Sequence, residues 1–158
     1  MSTYLILKWF HILSSVLMVG TGFGSAFYLF FINRTSSVEA QALVSRLVVR
    51  ADWWFTTPTV ILQPVSGLLL AHLAGWPLDS PWVVCALALY ALAGLCWLPV
   101  VVLQLRMAAM AEQAWQTGKP LPEAYRRHAR AWTWLGIPAF TAMMVVYYLM
   151  VAKPALWS

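Results

Sequence analysis

Charged side chains are scarce in this sequence: Asp, Glu, Lys and Arg together make up 9% of its 158 residues, and only 5 of those residues are acidic. A soluble domain carries about 25% charge, so a water-facing surface could not be covered with so little. Histidine (3) and cysteine (2) are also sparse, and none of them has the spacing of a zinc site. The apolar segments hold no paired carboxylates and no Ser-His-Asp set, and no glycine-rich phosphate loop occurs, so hydrolytic chemistry is unsupported. No internal repeat or low-complexity tract is visible, which argues against a small permease. Cys85 and Cys96 share one apolar stretch, 11 residues apart. On a helix they fall on nearly the same face but ~16 Å apart along it, beyond disulfide reach. They read as small core residues.

What the sequence does have is apolar length. Hydrophobic residues reach 62%, enough for four spans of ~20 residues with their loops. The expected fold is an all-α membrane protein, a four-transmembrane-helix bundle forming a single domain over residues 1–158, with spans at about 5–31, 57–75, 82–105 and 132–152. The first run, from Tyr4 to Ile32, has no basic leader before it and far exceeds a signal-peptide core of about 7–15 residues, so it reads as a retained span. After it, Ala40, Leu43, Val44, Leu47 and Val48 recur at helical spacing with Arg46 and Arg50 between them. That pattern predicts an interfacial or cytoplasmic helix between spans one and two. Thr56-Thr57-Pro58 reads as the start of span two, with a hydroxyl cap and proline in the first turn. Gly75-Trp76-Pro77 reads as its end. Span three should run on as a soluble extension through Met110 and Trp115 until Gly118 and Pro120, and span four should stop at Lys153-Pro154.

The formal net charge of +5 reads as orientation charge and contact with anionic headgroups rather than as a nucleic-acid surface. With alternating spans, one side holds Arg34, Arg46, Arg50, Arg106, Lys119, Arg126, Arg127 and Arg130, and the other holds only Lys8 and Lys153. Eight against two makes the first side cytoplasmic. Both termini are then expected outside, in the periplasm of a bacterium whose cytoplasmic (inner) membrane holds the chain. Trp53, Trp54, Trp132 and Trp134 suit the inner aromatic belt, and Trp76, Trp82 and Trp157 the outer one.

An ionisable residue inside a span is a functional candidate by default. His11 lies about 12 Å below the outer end of span one by helical rise. It shares a face with Ser15, Met18, Gly22 and Ser25, a small and weakly polar surface that should meet protein. A histidine there is either bonded to a neighbouring helix or a ligand to haem iron. His72, near the end of span two, falls in the same leaflet, whereas His128 sits among cytoplasmic arginines. Gln63 needs a partner, with Gln104 or Arg106 within reach, and Asp52 should pair with Arg50 or Arg106. Gly20 and Gly24 form a GxxxG that permits close helix approach. Pro64, Pro99 and Pro138 should each bend a span and free a carbonyl.

The stretch Ala51-Asp52-Trp53-Trp54-Phe55-Thr56-Thr57-Pro58, followed by Leu62-Gln63-Pro64-Val65-Ser66-Gly67-Leu68-Leu69-Leu70, strongly resembles a bacterial family of predicted integral membrane proteins, domain of unknown function 2269. So do Cys96-Trp97-Leu98-Pro99-Val100-Val101 with Gln104-Leu105-Arg106-Met107, Leu135-Gly136-Ile137-Pro138-Ala139-Phe140, and Met150-Val151-Ala152-Lys153-Pro154. A more distant resemblance, carried by Leu7-Lys8-Trp9-Phe10-His11-Ile12, Phe27-Tyr28-Leu29 and Val151-Ala152-Lys153-Pro154, is to HemJ-type protoporphyrinogen oxidases. Those are small helical membrane proteins associated with haem b, with a histidine in the first span that His11 matches. They also use a lysine in a later span, where this chain has none near Cys85 and Ala86.

The resemblance implies a haem b-binding membrane protein engaged in redox chemistry or electron transfer, with His11 as iron ligand and His72 as the replacement second ligand. Two alternatives stay open: a HemJ-like protoporphyrinogen oxidase, and a cofactor-free membrane subunit or assembly factor. The expected partners are the lipid bilayer and either a second copy or a membrane redox partner, with no nucleic acid.

Overall fold

The computed structural model describes residues 3–156, so Trp157 of the expected outer belt lies outside the described residues. Five α-helices follow in order: α1 (Thr3–Ile32), α2 (Val38–Ala51), α3 (Thr57–Leu73), α4 (Pro81–Gln116) and α5 (Glu123–Ala152). A π-helical turn, Asp52–Thr56, joins α2 to α3. Four rods, Thr3–Ile32, Val38–Leu73, Pro81–Gln116 and Glu123–Ala152, are long and apolar enough to cross a membrane.

The second rod departs from the expected start at Thr56-Thr57-Pro58. No break occurs there: α2 runs into α3 through the π turn, and the Thr56 hydroxyl caps no backbone N–H. Pro58 gives the physical reason. It has no N–H for the carbonyl one turn back, and its ring crowds that carbonyl. The chain widens locally, with the Thr57 N–H reaching the Asp52 carbonyl. Asp52 and Thr56 are thereby turned inward while Trp53 and Trp54 stay exposed.

The N-terminal part of this rod, α2, is a layer over the extended ends of α4 and α5. Its buried face is Gln41, Ala42, Ser45 and Val48, while Leu43 and Leu47, part of the apolar periodicity in the sequence, are about half exposed at 47% and 49%. Leu29, Val48, Met107, Ala111, Tyr125 and Trp132 form the core beneath α2. The Tyr125 hydroxyl donates to Asn33 Oδ1 at 2.6 Å and meets Ser45 Oγ at 3.4 Å, which ties α5 to α2 and to the turn after α1. Gln41 secures the same turn by donating to the Thr35 carbonyl at 3.1 Å.

At 36 residues α4 is about 54 Å long, well beyond a ~30 Å hydrocarbon core, as its predicted extension requires. α5 begins at Glu123, nine residues before the expected span, so its first turns carry Arg126, Arg127 and Arg130. α3 and α4 end in matching motifs. Gly75 (φ 72°) and Gly118 (φ 64°) take the left-handed conformation that glycine tolerates. The following N–H groups of Trp76 and Lys119 return to Ala71 and Ala114. Lys153 ends α5 with φ 44°, unusual for a residue with a Cβ.

Two expectations about surfaces are corrected. A Cβ on Gly20 or Gly24 would meet nothing within 4 Å, so among the described residues no helix packs closely on the GxxxG face. Trp82 and Trp132 are 7% and 6% exposed and belong to the interior, not to an aromatic belt. Cys85 and Cys96 are free thiols, as their spacing requires.

Candidate functional site

His11 docks α1 onto one face of α3. The Thr59, Gln63 and Ser66 side chains recur at helical spacing along α3 and are all buried. Gln63 donates its amide to the His11 carbonyl at 2.8 Å and also to the Ser14 hydroxyl. Gln63 therefore does not pair with Gln104 or Arg106, because its face of the helix meets α1. Ser66 Oγ lies 2.8 Å from His11 Nδ1. Gly67 makes room for the ring: a Cβ there would stand 3.2 Å from His11 Cε1.

This geometry favours one tautomer of His11. Ser66 has one hydroxyl proton, and its closest acceptor is the Leu62 carbonyl at 2.5 Å. Ser66 then accepts from Nδ1–H, which leaves Nε2 with its lone pair. Among the described residues no hydrogen bond involves Nε2. An imidazole held through Nδ1 with Nε2 free is the usual state of a metal-binding histidine.

His11 lines a cavity of about 500 Å³ at the Lys8 and Lys153 end of the bundle. The body of the cavity is apolar, with Ile12, Leu68, Val83, Leu87, Met143 and Val146 in its wall. Lys8, Lys153, Tyr4 and Trp76 also line it. The Lys153 ammonium lies 5.1 Å from the Trp76 ring centre and 5.7 Å from that of Trp82, a cation–π arrangement. Trp82 belongs to the cavity wall, and its buried indole N–H has no partner. The volume is that of an ordinary small-molecule site. His72 is exposed and is not part of this wall. Five residues beyond Gly67, it points about 140° away around α3, so the structure does not bring the two membrane histidines together.

Asp52 and Gln104 meet at a second cavity, of about 490 Å³, nearer the arginine-rich end. Thr56 Oγ1 donates to Asp52 Oδ1 at 2.9 Å, and the Gln104 amide reaches the same carboxyl group. The expected arginine partners are absent because Arg50 and Arg106 are on exposed faces. Among the described residues the one ion pair is Arg46–Glu112, at 3.5 Å. Tyr90 and Met143 belong to the walls of both cavities. The Tyr90 hydroxyl donates at 2.6 Å to the carbonyl of Val60, the acceptor that Pro64 leaves without its helical N–H. No group of three or more His, Cys, Asp or Glu side chains that could hold a bare metal ion occurs among the described residues.

The profile of a family described as predicted integral membrane protein, DUF2269, matches residues 5–154. The chain belongs to the DUF2269 family. It is an integral membrane protein, as the four long apolar rods require. Comparison with curated proteins and with solved structures finds no match.

Within this DUF2269 chain, several site residues carried no assigned role in the sequence. Ser66 and Gly67 stand three and four places after Gln63, so a polar and small stripe facing a neighbour was readable there. Tyr147, whose hydroxyl donates to the Ser15 carbonyl at 3.0 Å, gave no such signal, and Trp82 reads from the sequence only as a residue of the outer aromatic belt. Both lie in long apolar segments where any face is equally credible.

Proposed function

We propose that this protein binds haem b in the His11 cavity of a bacterial inner membrane, and that it serves a redox reaction there. The observation that carries the reading is the Ser66–His11 contact, which holds Nδ1 and leaves Nε2 for iron. The cavity suits the group in two further respects. Its wall is apolar enough for a macrocycle, and Lys8, Lys153 and the unpaired Trp82 N–H would meet carboxylates. His11 is the one imidazole lining this cavity, so it alone would ligate the iron. That arrangement favours O₂ or substrate chemistry over electron transfer through two closed ligands. Bound haem would supply one-electron chemistry. The chain's own part is to hold the imidazole, exclude water and neutralise the propionates.

His72 drops out of the proposal as a ligand, since it faces away from His11. The HemJ-like oxidase reading would use the same cavity and differs only in the substrate brought to it.

The test is the visible spectrum of protein purified in detergent after expression with ample haem. A b-type Soret band is expected in the wild type. His11→Ala should remove it, and His72→Ala should leave both its intensity and its position unchanged. A colourless wild type, or a full band in His11→Ala, would sink the proposal and favour the cofactor-free subunit.

A further inference from the structure

The second cavity has features that the haem reading does not use. Asp52 is 6% exposed, and the donors that reach it, Thr56 and Gln104, are both neutral. Trp132, also 6% exposed, lines the same cavity with an indole N–H that has no partner. The wall thus holds a buried carboxyl group with acceptor capacity beyond its two neutral donors, and a buried indole donor that is costly to leave without a partner. The same cavity is lined by aromatic rings, including Phe23, Phe27, Trp97 and Phe140. Gly94 also lines it, and a Cβ there would meet nothing within 4 Å.

We propose that this cavity binds a membrane quinone or quinol, its ring among the aromatic side chains and one ring oxygen between Asp52 and Trp132. A single quinol hydroxyl satisfies both groups, donating to the carboxylate and accepting from the indole N–H. A flat conjugated ring suits the offset and edge contacts that Phe and Trp offer. Access is from lipid: Phe23 of α1 and Phe140 of α5 stack at 5.3 Å and are both exposed. An acyl chain alone leaves the indole N–H unmet, and a phosphate headgroup meets a carboxylate. A lipophilic cation pairs with Asp52 but offers the indole no acceptor. The site stands on its own residues and does not require the haem. With haem in the first cavity, the shared Tyr90–Met143 wall sets a two-electron carrier beside it.

The experiment uses the full chain in nanodiscs, titrated with decylubiquinone and its quinol, with bound ligand measured after separation. Saturable binding of about one molecule per chain is expected. Asp52→Ala and Trp132→Phe should each weaken it at least tenfold. Gly94→Leu, which fills open space without touching the polar groups, should abolish it in a protein with an unchanged helical spectrum. His11→Ala should bind normally, so failure of the haem reading and failure of this one are distinguishable. Uptake no greater than in empty nanodiscs overturns the proposal. So does wild-type affinity in Gly94→Leu, or displacement by tetraphenylphosphonium or farnesol at concentrations equal to the quinone's.

Discussion

What His11 can do depends on a hydroxyl proton on another helix, 55 residues on in the sequence: that of Ser66. Were Ser66 Oγ free to donate to Nδ1, the ring would carry its proton on Nε2 and present no lone pair to the cavity. The Leu62 carbonyl takes that proton instead. Ser66→Ala should therefore leave α1 and α3 packed but release the ring. Loss of an outer-shell partner typically costs 10–100-fold in metal affinity, so haem affinity should fall by about that factor, read as Soret loss on titration with apomyoglobin as acceptor. Retention equal to wild type would show that Ser66 does not orient the ring. Gly67 makes the complementary test. Alanine is the better helix former by about 1 kcal/mol, yet its methyl would stand 3.2 Å from Cε1. Gly67→Ala should lower haem occupancy without lowering the melting temperature, whereas a packing role alone would move the melting temperature first.

Among the elements, the layer formed by α2 with the ends of α4 and α5 is held by polar contacts as much as by its apolar core. Tyr125 is 2% exposed, and its hydroxyl is shared between Asn33 and Ser45. Tyr125→Phe strands the buried Ser45 hydroxyl and frees the turn after α1, at a cost of about 1–3 kcal/mol. Denaturant unfolding in detergent should show that loss, and no change would mean water replaces the phenol. The Gly20–Gly24 face gives the opposite result: replacing both with leucine should leave the melting profile of the isolated chain unchanged, since among the described residues no helix lies against it. A large drop would reveal a second copy seated there. The rods themselves were legible, because length and apolarity suffice to mark a span. Which way a rod faces was not. On α3 the Gln63–Ser66–Gly67 stripe marks a face toward some neighbour, but which neighbour, and that His72 lies off that face, emerges only when α1 packs. The π turn was hidden for a related reason. Pro58 reads as a helix start when the preceding residues look polar, and as a widened turn only when Val48 and Asp52 are seen to be buried.

At the scale of the whole molecule, the two ends differ in kind, and that difference should decide orientation. Eight of the 10 basic residues flank the turns between α1 and α2 and between α4 and α5, while Lys8 and Lys153 flank the His11 cavity. Basic residues close to span ends resist translocation, and this bias counts most in short connections such as these. The arginine-rich end should face the cytoplasm, with the His11 cavity opening toward the opposite side. Lys153 does not contradict the assignment, because its ammonium lies over the Trp76 and Trp82 rings, beside the cavity. Four crossings return the chain to the side on which it began. A reporter inserted at Thr117, where α4 gives way to a tight exposed turn, should therefore be active only as a cytoplasmic marker. A reporter after Leu156 should be active only as an external one. Moving the balance tests the cause: Arg126→Gln, Arg127→Gln and Arg130→Gln together leave five basic residues on that side against two, so most chains should keep their orientation. Adding four lysines at the N-terminus of that variant makes it five against six, and a mixed population should result. A cytoplasmic signal from the C-terminal reporter in the wild type would mean that one of the four rods does not cross.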